Sequence, residues 1–218
     1  MEKSKTILYI AMSLDGYIAS EDGGIGWLSI AEWPGEDYGY GDFIRGVGTV
    51  IMGKKTYEKV LSLGVPFPHR DKKCYVLSSS RSGQDENVIF YSGSMKELIQ
   101  AVKLEHEGNI FIDGGAETVH SLLKENLMEE CVTAILPVLL GAGIRVVLDG
   151  RGENRLQLIA SKSFPSGLAQ LHYACPPPMP DNLQKVYRPA SLHRMLCGIY
   201  TALPENFRKG RTAGITFP

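Results

Sequence analysis

Apolar residues along this chain fall into short dense runs separated by stretches of helical spacing. Eight runs read as strands: residues 7–12, 49–52, 74–78, 88–91, 109–113, 131–139, 156–164 and 168–174. Several are near-continuous in β-branched and aromatic residues rather than alternating, which is the pattern of strands covered on both faces. Residues 54–63 and 116–127 carry a helical period, and part of 36–46 reads as a further helix. Another helix opens at the capping box Ser94-Met-Lys-Glu97, with Leu98, Ala101 and Val102 as its apolar stripe. Alternation of strands and helices predicts a largely parallel sheet with helices on both faces. The turn signal Pro165-Ser-Gly167 predicts an antiparallel hairpin from the last two strands.

The pattern fades after residue 174. Of 12 prolines, seven lie in 175–218, where six basic residues face two acidic ones; residues 1–174 hold 17 basic and 22 acidic. We read 1–174 as the folded domain and 175–218 as a Pro-rich linker with a basic extension. Residues 190–200 have the spacing of one short helix. A loosely docked tail and a basic interaction arm both fit this segment, and the active site is not expected there.

Composition narrows the function classes. With 218 residues, 44% of them hydrophobic, the chain can bury a sizeable core. A net charge of −1 gives no pull toward nucleic acid or an acidic membrane surface. No apolar run approaches the ~20 residues that cross a bilayer, and the first residues lack a signal-peptide pattern. Cys74, Cys131, Cys175 and Cys197 show no C-x-x-C spacing, so reduced thiols, no metal site and a cytoplasmic setting are expected.

Three strand ends carry candidate chemistry. Ile110-Phe-Ile-Asp-Gly-Gly-Ala-Glu-Thr118 is an apolar run that stops at two glycines and becomes a helix. Gly114 and Gly115 lack Cβ atoms, and the helix start offers free N–H groups and a positive dipole end that favour an anion. An ordinary strand-to-helix turn fits as well. At Ile51-Met-Gly-Lys-Lys-Thr56 two cations and a hydroxyl meet a second helix start, which suits a phosphate; two solvated lysines are the plainer alternative. Leu77-Ser-Ser-Ser-Arg81 places hydroxyls and a guanidinium after the third strand, fitting a phosphate such as the 2′-phosphate of NADP, or simply a polar turn. Ligands of open α/β sheets bind beyond the carboxyl ends of strands, so one extended ligand can span all three. Neither G-x-G-x-x-G nor G-x-x-x-x-G-K-[ST] is present, which disfavours a Rossmann dehydrogenase and a P-loop NTPase. The five histidines have no evident partners in the sequence; His120, on the helix after the glycines, reads as an exposed or satisfied residue.

Four motifs in order, Ile10-Ala-Met-Ser-Leu-Asp-Gly-Tyr-Ile-Ala19, Val50-Ile-Met-Gly-Lys-Lys-Thr-Tyr57, Ile112-Asp-Gly-Gly-Ala116 and Leu136-Pro-Val-Leu-Leu-Gly-Ala-Gly143, resemble the dihydrofolate reductase-like superfamily. The first and last resemble its branch containing the reductase domain of riboflavin biosynthesis and stand-alone bacterial relatives. The resemblance covers residues 5–174. It implies an α/β fold with a central eight-stranded, mostly parallel sheet, an antiparallel C-terminal hairpin, and helices on both faces. It also implies NADPH as cofactor, a small heterocyclic substrate and a homodimer.

By the same resemblance, Gly53, Lys54, Lys55 and Thr56 match a turn holding cofactor phosphates. Lys54 stands where Arg is usual, keeping the charge but losing the fork geometry. Ser78, Ser79 and Arg81 match the 2′-phosphate region. Gly114, Gly115, Ala116, Glu117 and Thr118 match the turn near pyrophosphate and nicotinamide, whose Gly-Gly bond is often cis in the family. Ala11 and Ile18 match backbone positions along the nicotinamide amide. On the substrate side, Asp37 resembles the pterin-holding carboxylate of dihydrofolate reductases, or is an exposed loop acid. Asp15 contacts substrate, as the riboflavin branch suggests, or favours the turn at Gly16. Trp27 and Trp33 stack on a flat ligand or pack.

The expected activity is an NADPH-dependent reductase, with a ribosylamino-pyrimidine favoured as substrate, as in 5-amino-6-(5-phosphoribosylamino)uracil reductase. Dihydrofolate reductase is the enzyme alternative, and a non-catalytic nucleotide-binding protein of the same fold is the other class. The chain has no H-x-E…P-C-x-x-C deaminase signature.

Overall fold

All eight apolar runs become strands, and they pair in one sheet. The structure, a computed structural model, describes residues 4–105, 107–148 and 154–177, all within the Met1–Pro178 unit. The basic extension beyond residue 177, the helix expected at 190–200 and Cys197 lie outside the described residues. In chain order the elements are β1 (Thr6–Ser13), β2 (Tyr17–Ala19), a 3₁₀ helix (Gly26–Ala31), α1 (Tyr40–Arg45), β3 (Val47–Gly53) and α2 (Lys54–Ser62). There follow β4 (Lys73–Leu77), β5 (Gly83–Gln84), β6 (Ile89–Tyr91), α3 (Met95–Glu105), β7 (Asn109–Ile112) and α4 (Ala116–Lys124). The last are β8 (Glu130–Leu136), β9 (Ile144–Arg145), β10 (Gln157–Ser163) and β11 (Ala169–Ala174).

The main sheet runs β10-β11-β8-β1-β7-β3-β4-β6-β5. Strands β8, β1, β7, β3, β4 and β6 are parallel, and β10–β11 is the expected antiparallel hairpin. This is the arrangement that the resemblance implies. The short β5 adds a ninth, antiparallel strand at one edge, and β2 with β9 forms a separate two-stranded sheet.

Strand alternation sorts the side chains to two covered faces. Ile51, Ile110 and Ile112 pack with Leu98, Ile99 and Val102 of α3 and Val119, Leu122 and Leu123 of α4. Val50, Met52, Val76 and Phe111 pack on the other face with Tyr57 of α2, Phe67, and Tyr40, Phe43 and Ile44 of α1. Central strands thus bury both faces, which is why their sequence runs are continuous rather than alternating. A third cluster joins Ala134, Leu136, Phe164 and Leu168 to Trp27, Leu28 and Tyr38 beside the hairpin. Cys74 and Cys131 are buried free thiols.

Candidate functional site

The site is set by where two strands stop. β7 pairs with β1 only over Thr6, Leu8 and the residue between, whereas β1 continues along β8 as far as Ser13. Among the described residues the β7-facing edge of β1 from Tyr9 onward therefore has no strand partner, and its peptide groups border an opening beyond the end of β7. Ala11 lies on this stretch, half-buried against the third cluster. Ile18 is the middle residue of β2, the strand that follows.

Across the opening, β3 and β7 end side by side and send α2 and α4 to opposite faces. Their first turns interlock. The Gly115 N–H donates to Thr56 Oγ1 at 3.0 Å. A Cβ on Gly53 would lie 2.7 Å from Thr118 Oγ1, and one on Gly114 would lie 2.8 Å from Thr118 Cβ. The glycines thus make room for a threonine of the neighbouring helix. Neither helix has a side-chain cap on its N-cap glycine, Gly53 or Gly115. Two N-terminal dipole ends with open N–H groups converge on one place.

Charged groups tie the three flagged strand ends together. Lys55 Nζ pairs with Glu117 Oε1 at 2.8 Å, which raises the lysine pKa above its usual value, and Lys54 Nζ donates to Ser80 Oγ at 3.2 Å. Lys54 also lies 3.7 Å from Glu58. The two lysines at the start of α2 therefore have protein partners of their own. Ser78 is buried, and its hydroxyl accepts the N–H groups of Ser80 and Arg81, which shapes this turn; Ser79 is exposed. The Arg81 guanidinium lies 3.9 Å over the Phe90 ring and 3.8 Å from Asp85. Ala116 and Thr118 are buried and Glu117 is exposed. Among the described residues there is no cis peptide bond, so Gly114–Gly115 is trans here, unlike the form common in the resembled family.

The two candidate acids sit on loops, Asp15 between β1 and β2 and Asp37 just before α1. Asp15 accepts from Ser13 Oγ at 2.6 Å, the Leu140 N–H at 3.1 Å and the Gly141 N–H at 2.7 Å. The Ser13 hydroxyl, then the two backbone donors, hold its carboxyl at about 2. Around it, Leu14 N–H donates to Val138 O, Val146 N–H to Gly16 O, and β2 pairs with β9. Arg145 stacks over the Tyr17 ring at 4.8 Å. Asp15 thus closes a clasp joining the first and fourth sequence motifs. Asp37 is exposed and accepts the Gly39 N–H at 2.8 Å and the Gly41 N–H at 3.1 Å, which lower its pKa. Trp27 packs into the third cluster, while Trp33 is exposed.

One pair escaped the sequence reading. His69 is buried, and its Nε2 lies 3.2 Å from Oδ2 of Asp113, the residue between β7 and Gly114. Asp113 lies in the third sequence motif but His69 in none; their proximity depends on the loop 63–72 crossing the end of β7. A cavity of about 260 Å³ lies at the opposite end of the sheet, bordered by Leu123, Met128, Arg155, Cys175 and others. None of the candidate site residues lines it, so the volume does not mark the chemistry. Among the described residues no His/Cys/Asp/Glu group could hold a metal, and no helix is long and apolar enough to cross a membrane.

An open, mostly parallel sheet with paired helix N-termini beside a strand opening defines the dihydrofolate reductase-like class. Within it, the model of the RibD C-terminal domain matches residues 4–169, and the chain belongs to that family. The chain is 45% identical over 170 residues to protein YwjB of Bacillus subtilis (strain 168), covering 78% of this chain and 97% of YwjB. A structure from Shewanella sp. PV-4, described as a candidate riboflavin biosynthesis protein, superposes with a TM-score of 0.73. It shares 29% identity, over 79% of this chain and 99% of that one. Dihydrofolate reductase from Enterococcus faecalis, solved with NADP(H), shares the fold at a TM-score of 0.59 and 17% identity, over 80% and 98% of the chains.

Proposed function

We propose that this chain is an NADPH-dependent reductase that passes hydride to a small heterocycle, with a riboflavin-pathway ribosylamino-pyrimidine as the favoured substrate class. One observation carries the reading: the uncapped starts of α2 and α4 meet beside the unpaired edge of β1. Helix ends of this kind hold phosphates, and free peptide groups on β1 suit a carboxamide. Membership of the RibD C-terminal domain family supports a reductase-like role in riboflavin synthesis.

Gly53, Lys54, Lys55 and Thr56 with Gly114, Gly115, Ala116, Glu117 and Thr118 would hold the pyrophosphate. Ser78, Ser79 and Arg81 would take the 2′-phosphate, and Ala11 and Ile18 the nicotinamide, which supplies the hydride when bound. Asp15 and Asp37 are the proposed acids on the substrate side. Their depressed pKa values suit carboxylates that anchor ring N–H groups rather than donate protons at neutral pH.

Titrating the full chain with NADPH and following cofactor fluorescence tests the proposal. We expect binding at micromolar to millimolar concentration, then absorbance loss with a ribosylamino-pyrimidine. Absence of NADPH binding overturns the reductase. Turnover of dihydrofolate instead would make it a dihydrofolate reductase, and binding without turnover of any heterocycle would favour a nucleotide-binding role.

A further inference from the structure

Asp113 presents a problem for any anion bound at the start of α4. Its carboxylate belongs to the residue immediately before Gly114, and its side chain is 30% exposed. A mobile carboxylate here would turn toward the open N–H groups of α4 and occupy them itself, since carboxylates are favoured at helix N-termini. The chain directs it elsewhere. Phe111 packs with Phe67 and Tyr57 on the α1/α2 face, and alternation sends Asp113 to that same face. The start of α4 belongs to the other face, where Val119 and Leu122 pack on Ile110 and Ile112. The charge of Asp113 is felt where this predicts. After burial it is the next cause pushing the Tyr40 phenol and the Cys74 thiol up, each to about 12.

His69 is what holds the carboxylate there. Its side chain is only 3% exposed, and Nε2 lies 3.2 Å from Asp113 Oδ2, an N–H donor for a carboxylate acceptor. Phe67 and Phe111 set the ring edge-on at 5.7 and 5.8 Å. Among the described residues Nδ1 has no hydrogen-bond partner, so the ring is placed for what Nε2 does. We propose that His69 is a positioning residue that parks the Asp113 carboxylate on the α1/α2 face, keeping the start of α4 open for the phosphate of its ligand.

This inference rests on the proposed cofactor site, and the experiment separates the two. NADPH affinity is measured for the full chain, for His69→Phe, His69→Gln and Asp113→Asn, and for His69→Phe with Asp113→Asn, with a thermal midpoint for each. Phenylalanine fills the aromatic setting without the donor and is expected to weaken NADPH binding by roughly tenfold, the scale of one misplaced charge at a helix end. Glutamine restores a donor, and Asp113→Asn in the double variant removes the competing charge; both are expected to return affinity to within about threefold of wild type. A purely structural histidine would not be rescued by changing Asp113. Unchanged affinity in His69→Phe, or no rescue in the double variant, overturns the proposal.

Should His69→Phe fail to fold, Asp113→Asn alone decides: a parked charge predicts affinity within about twofold of wild type, and tightening beyond about fivefold overturns it. Wild-type protein that does not bind NADPH sinks the reductase reading instead. The same variant comparison is then read from the thermal shift given by inorganic pyrophosphate, and a chain that binds neither overturns both.

Discussion

Asp15 shows how a residue can be conspicuous in sequence while its task is not. Both oxygens accept hydrogen bonds, and two of the three donors lie 125 and 126 residues away, beyond the reach of any local pattern. The S-L-D-G motif marked the residue; only the fold shows that it fastens two loops. Because its carboxyl is held at about 2, below its usual 3.8, the clasp is stabilised above about pH 4 and loosens as pH falls through 2. Asp15→Asn removes that acid transition and leaves the loop of residues 137–146 open at neutral pH. Hydrogen exchange of that loop between pH 2 and 6 reads it, and equal protection in wild type and variant would sink the idea. His69 was illegible for the same reason, its partner Asp113 lying 44 residues on.

Elements were legible where burial dictated pattern. The central strands announce themselves because their side chains are covered, and α2, α3 and α4 because one stripe is. Strands β2, β5 and β9 were not visible: each has two or three residues, and β2 and β9 exist through distant pairing, as Tyr17 with Arg145. The glycine turns were legible as special but not in their reason. Sequence reading took the missing Cβ atoms of Gly114 and Gly115 as room for a ligand; the structure adds that Thr118 stands where a Cβ on Gly53 or Gly114 would lie. That interlock predicts that Gly114→Ala forces Thr118 Cβ or β7 to move, costing about 1–3 kcal/mol by overpacking. Urea unfolding measures it, and a midpoint equal to wild type would show that the two helix starts do not need their present spacing. Lys55–Glu117 spans the same junction but is exposed at both ends, so its removal is expected to change stability little.

At the scale of the molecule, the two ends of the main sheet are treated differently. One end closes with the two-residue β5, too short to recruit another strand. The other ends in β10, seven residues exposed throughout, with Leu158 at 53% and Ile159 at 51% exposure and Leu156 beside them at 44%. Apolar side chains on a bare edge strand invite association unless something protects or covers them. β10 does carry a protective device: its pairing with β11 skips between Leu158 and Ala160, leaving Ile159 as an extra, bulged residue. A bulge discourages straight addition of a further strand, so the expected homodimer would bury these residues by side-chain packing rather than by extending the ladder. Sedimentation of the full chain at micromolar concentration is predicted to show a dimer, and Leu158→Lys with Ile159→Lys is predicted to give a folded monomer. The candidate cofactor site lies several strands away, between β1 and β3, so the monomer should keep NADPH affinity within about twofold. A wild-type monomer, or a double variant that remains dimeric, would move the pairing surface off this edge.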